Sequence, residues 1–147
     1  MKGLRIDKVT SGYEGKPIVT ECSFEVRPKE TLVLMGPSGN GKTTLLLTIL
    51  GIVTPMEGKV FLNEKEISSL PIEMRNIGYL PQDYGLFSHL NVQENVAFGL
   101  RVRGVPKEER EKIAKKMLAL VNLRNYENRK IKELSGGEKQ RVGLARS

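Results

Sequence analysis

The segment 36–43 constrains the fold of this chain more than any other feature. Its residues, Gly-Pro-Ser-Gly-Asn-Gly-Lys-Thr, fit the phosphate-binding pattern G-x-x-x-x-G-K-[ST]. The apolar run 32–35 before it predicts a buried strand, and residues 44–50 after it predict a buried helix that ends near Gly51. Strand, glycine loop and helix is the order that this pattern requires, although a glycine-rich turn without a ligand is the simpler alternative.

Each residue type in this glycine loop has a chemical role. Glycines allow backbone N–H groups to converge on phosphate oxygens, and the helix that follows adds its partial positive charge. Lys42 can reach the β- and γ-phosphates, and the Thr43 hydroxyl can bind Mg²⁺. The candidate nucleotide-binding residues here are Gly36, Pro37, Ser38, Gly39, Asn40, Gly41, Lys42, Thr43 and Thr44.

Length and composition limit the class of protein. The 147 residues contain one glycine loop and no internal repeat, which indicates one domain, and 39% hydrophobic residues can form a core. The sequence has no apolar run that could span a bilayer and no signal-peptide pattern at its start. The single cysteine, Cys22, excludes an intramolecular disulfide, fits a reducing compartment and alternates with Phe24 and Val26 on a predicted core face.

The net charge of +7 is unevenly distributed. Residues 101–147 carry fourteen Lys or Arg and six Glu, or +8, whereas residues 1–100 carry −1. A basic segment of this kind can bind nucleic acid or anionic lipid. We favour the simpler interpretation, a solvated helical face.

Alternating and apolar runs predict strands at 4–9, 18–26, 58–62 and 77–80. Tyr13, in the predicted turn between the first two strands, is either a packing residue or an aromatic that stacks on a nucleotide base.

Two segments follow the predicted strand 77–80: Pro81 and Gln82 at the strand end, and then an apolar, turn-rich loop at 83–87. Gln82 at the strand end can ligate Mg²⁺ or position water, and the loop 83–87 is a candidate contact surface. His89 has no catalytic partner nearby in the sequence, so we interpret it as structural.

Three helices are predicted in the second half. Asn91 and Glu94 form a capping pattern for a helix that continues to about Arg103 and breaks at Gly104. Pro106 suits the first turn of the next helix. That helix has one predicted packing face, formed by Ile113, Met117, Leu120 and Val121.

The third helix begins at a second motif, Leu-Ser-Gly-Gly-Glu at 134–138. Ser135 and Glu138 predict a capping box. The same helix start is a candidate second anion site, formed by Ser135, Gly136 and Gly137. Both interpretations can hold together, because they use the same exposed donors.

With both motifs, the chain resembles the ATP-binding subunit of an ABC transporter over nearly all its length. The resemblance implies an α/β fold of P-loop NTPase type, with a mixed sheet whose N-terminal part is antiparallel and a helical subdomain. It makes 36–43 the Walker A loop, Tyr13 the adenine-stacking aromatic and Gln82 the Q-loop ligand of Mg²⁺. It divides the chain into a nucleotide-binding core, 1–90, and a helical subdomain with the signature helix, 91–147.

The resemblance also implies the cofactors, ATP and Mg²⁺, and the partners. Two such subunits close head to tail, so that Ser135 and Gly137 of one chain contact the γ-phosphate held by Lys42 of the other; Lys42, Gln82 and Ser135 are the implied catalytic residues. The loop 83–87 would meet a transmembrane permease at the cytoplasmic face of the membrane. The sequence of residues 80–96 resembles that of the ATPases of importers that work with a solute-binding protein. No direct nucleic-acid contact is expected.

Some expected parts of the family pattern are not in the sequence. The family's Walker B Asp, catalytic Glu, D-loop and switch His follow the signature helix, and the chain ends at Ser147. We therefore expect a C-terminally incomplete domain whose 147 residues bind nucleotide weakly, do not turn it over and are marginally stable. The alternatives are a soluble ABC protein that acts on nucleic acid or ribosomes, and a non-catalytic fragment.

Overall fold

The computed structural model describes residues 3–147, in two compact units, Met1–Ile77 and Gly78–Ser147. The first unit contains the sheet and the glycine loop, and the second is helical. Within residues 3–147, no helix combines the length and the apolar character needed to cross a bilayer.

The first unit is built on a four-stranded sheet in the order β2-β1-β3-β4, with every pair antiparallel. The strands are β1 Leu4–Tyr13, β2 Lys16–Val26, β3 Glu57–Leu62 and β4 Lys65–Glu66. The predicted strands 4–9, 18–26 and 58–62 are confirmed, and the β1–β2 turn lies at Glu14 and Gly15 as expected. Irregular pairing between Ile6 and Gly12 bends the hairpin, with Lys8 and Glu21 in left-handed conformation.

Helix α1, Lys42–Leu50, provides the second layer of this unit. Its buried face packs with strand residues in one core, which contains Ile6, Val9, Leu45, Ile49, Val60 and Ile67. Gly51 ends the helix in left-handed conformation, with its N–H donating to Leu47 and Thr48 carbonyls, as the sequence predicts. Cys22 packs against this core, and burial raises the pKa of its thiol.

Two predicted strands are wrong for this structure. Residues 32–35 and 77–80 have irregular backbone. Val33 and Met35 are 69% and 87% exposed, and only Leu34 of the first segment packs against the core. An apolar run becomes a strand only beside a hydrogen-bonding neighbour, and no strand within residues 3–147 pairs with either segment.

The second unit packs four helices, α2 Val92–Val96, α3 Phe98–Val102, α4 Lys107–Leu120 and α5 Gly136–Arg146. The predicted helix 91–103 is interrupted at Ala97, where ψ is −4°, although the Ala97 N–H still donates to the Gln93 carbonyl. The capping box of Asn91 and Glu94 and the break at Gly104 are confirmed. Pro106 lies at the N-cap, one residue before α4.

The core of the second unit includes Val92, Val96, Ala114, Leu118, Leu123 and Val142. The predicted packing face of α4 is wrong at Leu120, which is 69% exposed, whereas Met117 and Val121 pack against this core as predicted. The fully buried residues of the helix are Ala114 and Leu118. Ala114 and Leu118, one helical turn apart, therefore lie at the centre of the packing face of α4. On the solvent side, Lys112 pairs with Glu108 at 2.7 Å, which is typical of a solvated helix surface.

Candidate functional site

The glycine loop leads into α1 through backbone that only glycine adopts readily. Gly39 and Gly41 have φ of 87° and 75°, and Gly41 is the N-cap residue of α1. A Cβ on Gly41 would lie 2.7 Å from the Val19 side chain, because the loop runs close against β2. Glycine at 41 is therefore required by conformation and by space.

The N-terminus of α1 has no side-chain cap. A helix begins with backbone N–H groups that have no partner within the helix, and an anion can satisfy them. A Cβ added to Gly36 or Gly39 would meet no atom within 4 Å, so the space beside the loop is open. The loop has the form of an anion cradle at the positive end of a helix.

Lys42 supplies the charge for this cradle. Its Nζ donates to the carbonyl oxygens of Gly36 at 2.8 Å and Pro37 at 2.6 Å, so the side chain folds back over the loop. These bonds use two of the three ammonium donors. Thr43 is exposed beside it, whereas Thr44 is buried, and its carbonyl accepts from the Thr48 hydroxyl at 2.8 Å.

Tyr13 lies at the end of the β1–β2 hairpin, paired with Lys16, and is 47% exposed. The adjacent residues of β2, Ile18 and Val19, are those that contact Gly41. The hairpin therefore places an exposed aromatic ring at the end of the strand pair against which the glycine loop packs.

Arg75 anchors the opposite end of α1, a role that sequence reasoning missed. Its guanidinium donates to the carbonyls of Thr48 at 2.9 Å and Ile49 at 2.8 Å, and also to those of Ser68 and Leu70. The residue is 3% exposed, and burial lowers the pKa of its guanidinium. Arg75 thus caps the C-terminus of α1 with a charge that favours the helix dipole.

Gln82, an exposed residue of the second unit, precedes the loop 83–87. The loop begins with a turn in which the Tyr84 N–H donates to the Pro81 carbonyl at 3.0 Å. Its far end is held by Asn95, which is fully buried: Phe87 N–H donates to Asn95 Oδ1 at 2.8 Å, and Asn95 Nδ2 donates to the Phe87 carbonyl.

The second motif forms the capping box that the sequence predicts at the start of α5. The Ser135 N–H and hydroxyl each donate to Glu138 Oε2 at 2.8 Å, and the Glu138 N–H donates to the Ser135 hydroxyl at 3.4 Å. Ser135, Gly136 and Gly137 are all exposed. The capping prediction is confirmed, and the anion site at the same residues stays a prediction.

Glu138 is also bound from outside the helix. The Tyr126 hydroxyl donates to Glu138 Oε1 at 2.7 Å, and the Arg129 guanidinium lies 3.9 Å from the centre of the Tyr126 ring. Hydrogen bonds from the Ser135 backbone, Tyr126 and the Ser135 hydroxyl lower the pKa of Glu138 to about 2. The start of α5 therefore carries a fixed negative charge that α1 lacks.

Within residues 3–147, no group of three or more His, Cys, Asp or Glu side chains could hold a metal ion. His89 is exposed, and its ring lies 6.0 Å from that of Phe87 in a tilted arrangement. The chain has only two Asp, Asp7 and Asp83.

The comparisons with known proteins agree with this geometry. The sequence model of the ABC transporter family matches residues 19–147. The chain is 42% identical to the molybdate/tungstate import ATP-binding protein WtpC of Pyrococcus abyssi over 144 residues, covering 98% of this chain and 42% of the relative. It is 43% identical to the spermidine/putrescine import ATP-binding protein PotA of Acetivibrio thermocellus, covering 98% of this chain and 41% of the relative.

Its fold is similar to that of a solved dimeric ATP-binding cassette, MJ0796, in a post-hydrolysis state with ADP and Pi. The TM-score is 0.83 at 29% identity, covering 97% of this chain and 68% of that one. The fold expected from the sequence, an α/β nucleotide-binding cassette, is thereby confirmed, and the described residues form its antiparallel sheet and its helical part. The chain spans about two fifths of the length of the curated relatives it matches. The matched family model and the structural likeness together establish that this chain belongs to the ABC transporter family and has the fold of its ATP-binding cassettes.

Proposed function

We propose that the chain acts in the ATP-binding subunit of an ABC importer, an ATPase that couples ATP binding and hydrolysis to solute uptake. The observation that carries this proposal is the glycine loop itself: the Lys42 ammonium is bonded to the loop carbonyls of Gly36 and Pro37, and the loop ends in left-handed glycine at an uncapped helix N-terminus. Both curated relatives compared above are import ATP-binding proteins, which supports the direction of transport.

The residues fit a nucleoside triphosphate with Mg²⁺. The open space at Gly36 and Gly39, the uncapped start of α1 and the Lys42 charge suit a polyphosphate. Mg²⁺ would neutralise part of the phosphate charge. The Thr43 hydroxyl oxygen and the Gln82 amide oxygen are ligands of the kind that Mg²⁺ prefers. Tyr13 would stack on the adenine.

The remaining members of the proposed phosphate cradle follow from the helix start and the loop backbone. Pro37, Ser38, Asn40, Gly41 and Thr44 complete the Walker A residues, although Thr44 is buried and would contribute through its backbone N–H. At the second motif, Ser135, Gly136 and Gly137 would bind the γ-phosphate held by Lys42 of a paired subunit. The dimeric state of the structural relative supports this pairing.

Three residues would act in hydrolysis. Lys42 would hold the β- and γ-phosphate oxygens with its charge, Gln82 would orient water near the metal, and Ser135 would donate a hydrogen bond to the phosphate across the dimer. The proposed functional division assigns residues 1–90 to the nucleotide-binding core and residues 91–147 to the helical subdomain.

The proposed partners are a second ATP-binding subunit, a transmembrane permease and a solute-binding protein. We place the subunit at the cytoplasmic face of the membrane, with the loop 83–87 against the permease. This loop is suited to contact because Asp83 is exposed while Asn95 fixes the loop's end at Phe87.

Nucleotide titration of the Lys42→Ala variant tests this proposal. A charge-assisted hydrogen bond contributes about 1.5–3 kcal/mol, so we expect Mg-ATP affinity to fall by about 10–100-fold. Lys65→Ala is the matched control, because Lys65 is exposed on β4 and should leave affinity within about twofold. Equal affinities of Lys42→Ala and the unchanged chain would refute the proposed phosphate site.

A further inference from the structure

Arg146, in the last turn of α5, is bound to the loop 83–87 of the same unit. Its Nη1 donates to the Gly85 carbonyl and its Nη2 donates to the Tyr84 carbonyl at 3.2 Å. Its Cζ lies 5.3 Å from the centre of the Phe87 ring, within the range of a cation–π contact. One guanidinium thus holds three of the five loop residues.

The half-buried position of this guanidinium shows that the contact is more than a surface encounter. Burial lowers the pKa of Arg146, and the nearby charge of Asp83 acts in the opposite direction. A planar guanidinium can bond two neighbouring carbonyls at once, whereas an ammonium is a point charge without this fork.

The backbone of the loop needs such support. Tyr84 and Gly85 have φ of 62° and 54°, and left-handed backbone is strained at the tyrosine. Arg146 binds the carbonyls of these two residues.

Gly143, one turn before Arg146, lets the loop approach the helix closely. A Cβ at this position would lie 2.5 Å from Leu80 Cδ1 and 3.5 Å from Tyr84 Cβ. Close packing at Gly143 and hydrogen bonding at Arg146 therefore join the loop to α5 at two successive turns. Asn95, by comparison, holds only the Phe87 end of the loop, from α2.

We propose that Arg146 is a positioning residue that couples the loop 83–87 to α5, so that displacement of the loop by a docked permease reaches Ser135. Helix α5 has 11 residues and spans about 16 Å, with Ser135 at one end and Arg146 at the other. A rigid helix clamped to the loop transmits movement along its axis. This inference rests on the proposed function, since it assigns the permease contact to this loop.

Two measurements test the proposal. The first is hydrogen exchange of the chain alone, and the second is ATP hydrolysis, with and without the permease, by the ATP-binding subunit in which the chain is proposed to act. In Arg146→Ala we expect the Tyr84 and Gly85 amides to exchange about 10-fold faster, while the Phe87 amide, held by Asn95, changes by less than about threefold. The ratio of permease-stimulated to basal hydrolysis should fall by about 10-fold.

Three further variants separate coupling from a general loss of stability. Arg146→Lys keeps the charge without the fork and should restore only part of the ratio. Gly143→Ala keeps Arg146 but crowds Leu80, and it should lower the same ratio. Arg141→Ala removes an exposed charge from the same helix and should leave both exchange and the ratio unchanged.

Unchanged exchange at Tyr84 and Gly85 in Arg146→Ala would overturn the proposal. So would faster exchange throughout α2 and α4 together with equal losses of basal and stimulated hydrolysis, since that is the result of a structural role alone. If the unsubstituted subunit hydrolyses ATP but shows no permease stimulation at all, the permease partner in the proposed function is wrong and the transmission proposed here fails with it. Faster loop exchange with an unchanged ratio would overturn only the transmission.

Discussion

Helices α1 and α5 both begin at a glycine-containing motif, but only the N-terminus of α5 is capped by side chains. The start of α1 has a left-handed glycine and no side-chain cap, and the Lys42 ammonium in its first turn is bonded to carbonyls of the glycine loop. The start of α5 has a reciprocal capping box, closed by Ser135 and Glu138, whose carboxylate is held negative by a pKa of about 2. The start of α1 therefore carries a lysine and backbone N–H groups without a side-chain acceptor, whereas the start of α5 has a hydrogen-bonded capping box.

This difference indicates separate tasks for the two helix starts. The α1 terminus suits the proposed polyphosphate site on its own, because neither a first-turn carboxylate nor a side-chain cap competes for its N–H groups. At α5, Glu138 already accepts from the Ser135 hydroxyl. A phosphate at Ser135 must therefore form part of a larger site, in agreement with the proposed pairing of two subunits.

The two helices also differ in how their other ends are held. Arg75 binds the last carbonyls of α1, whereas α5 ends with Arg146 bound to a loop. Helix α1 is thus anchored within its own unit behind an open terminus.

The largest expected effect comes from removing the α1 anchor. Arg75→Met removes the guanidinium donor from four carbonyls in buried or partly buried surroundings, those of Thr48, Ile49, Ser68 and Leu70, so we expect the free energy of unfolding to fall by about 2–4 kcal/mol. Urea unfolding followed by circular dichroism measures this loss. The control Arg27→Met replaces an exposed arginine of the same unit and should cost less than about 0.5 kcal/mol. A similar small loss for Arg75→Met would show that α1 does not depend on this anchor.

A smaller effect should follow from opening the α5 cap. Ser135→Ala removes the N-cap acceptor, and loss of such a cap costs about 1 kcal/mol, whereas Ser135→Gly should cost only a few tenths. Urea unfolding of the two variants compares these values. Equal losses for alanine and glycine would contradict the capping role, and a change in nucleotide affinity of the isolated subunit would contradict the contrast between the two helix starts.

The smallest effect concerns the charge at the α5 start. Tyr126→Phe removes a hydrogen bond to Glu138, so the pKa of this carboxyl should rise from about 2 towards its ordinary value of 4.5. Carboxyl ¹³C shifts followed during an acid titration measure it directly. Tyr79→Phe is the control, because Tyr79 is exposed and does not contribute to the pKa shift of Glu138. An unchanged pKa in Tyr126→Phe would mean that Ser135 alone sets it.

The same shift gives a direction for stability against pH. Because the folded pKa of Glu138 lies below the unfolded value, folding favours the ionised form. The stabilisation is complete above about pH 4.5 and is lost as pH falls towards about 2. Glu138→Gln should therefore be less stable than the unchanged chain at neutral pH and should approach it in acid.

The sequence predicted the local features well for a physical reason. The Gly51 end of α1 and the capping boxes of α2 and α5 depend on residues within four positions of one another, and the glycine loop lies within eight consecutive residues. The segment 32–35 shows the limit of this reasoning, because its apolar pattern gives the tendency for a strand and cannot supply a pairing neighbour.

The sequence by itself thus determined the two motifs, the capping boxes of α2 and α5, and the family that the motifs indicate. Only the tertiary structure decided the roles of Arg75, Arg146 and Asn95. All three bind main-chain groups, and Arg75 and Arg146 reach carbonyls as far as 27 and 62 positions away. A main-chain carbonyl is the same at every residue, so no pattern of side chains marks the acceptor, and only folding brings donor and acceptor together.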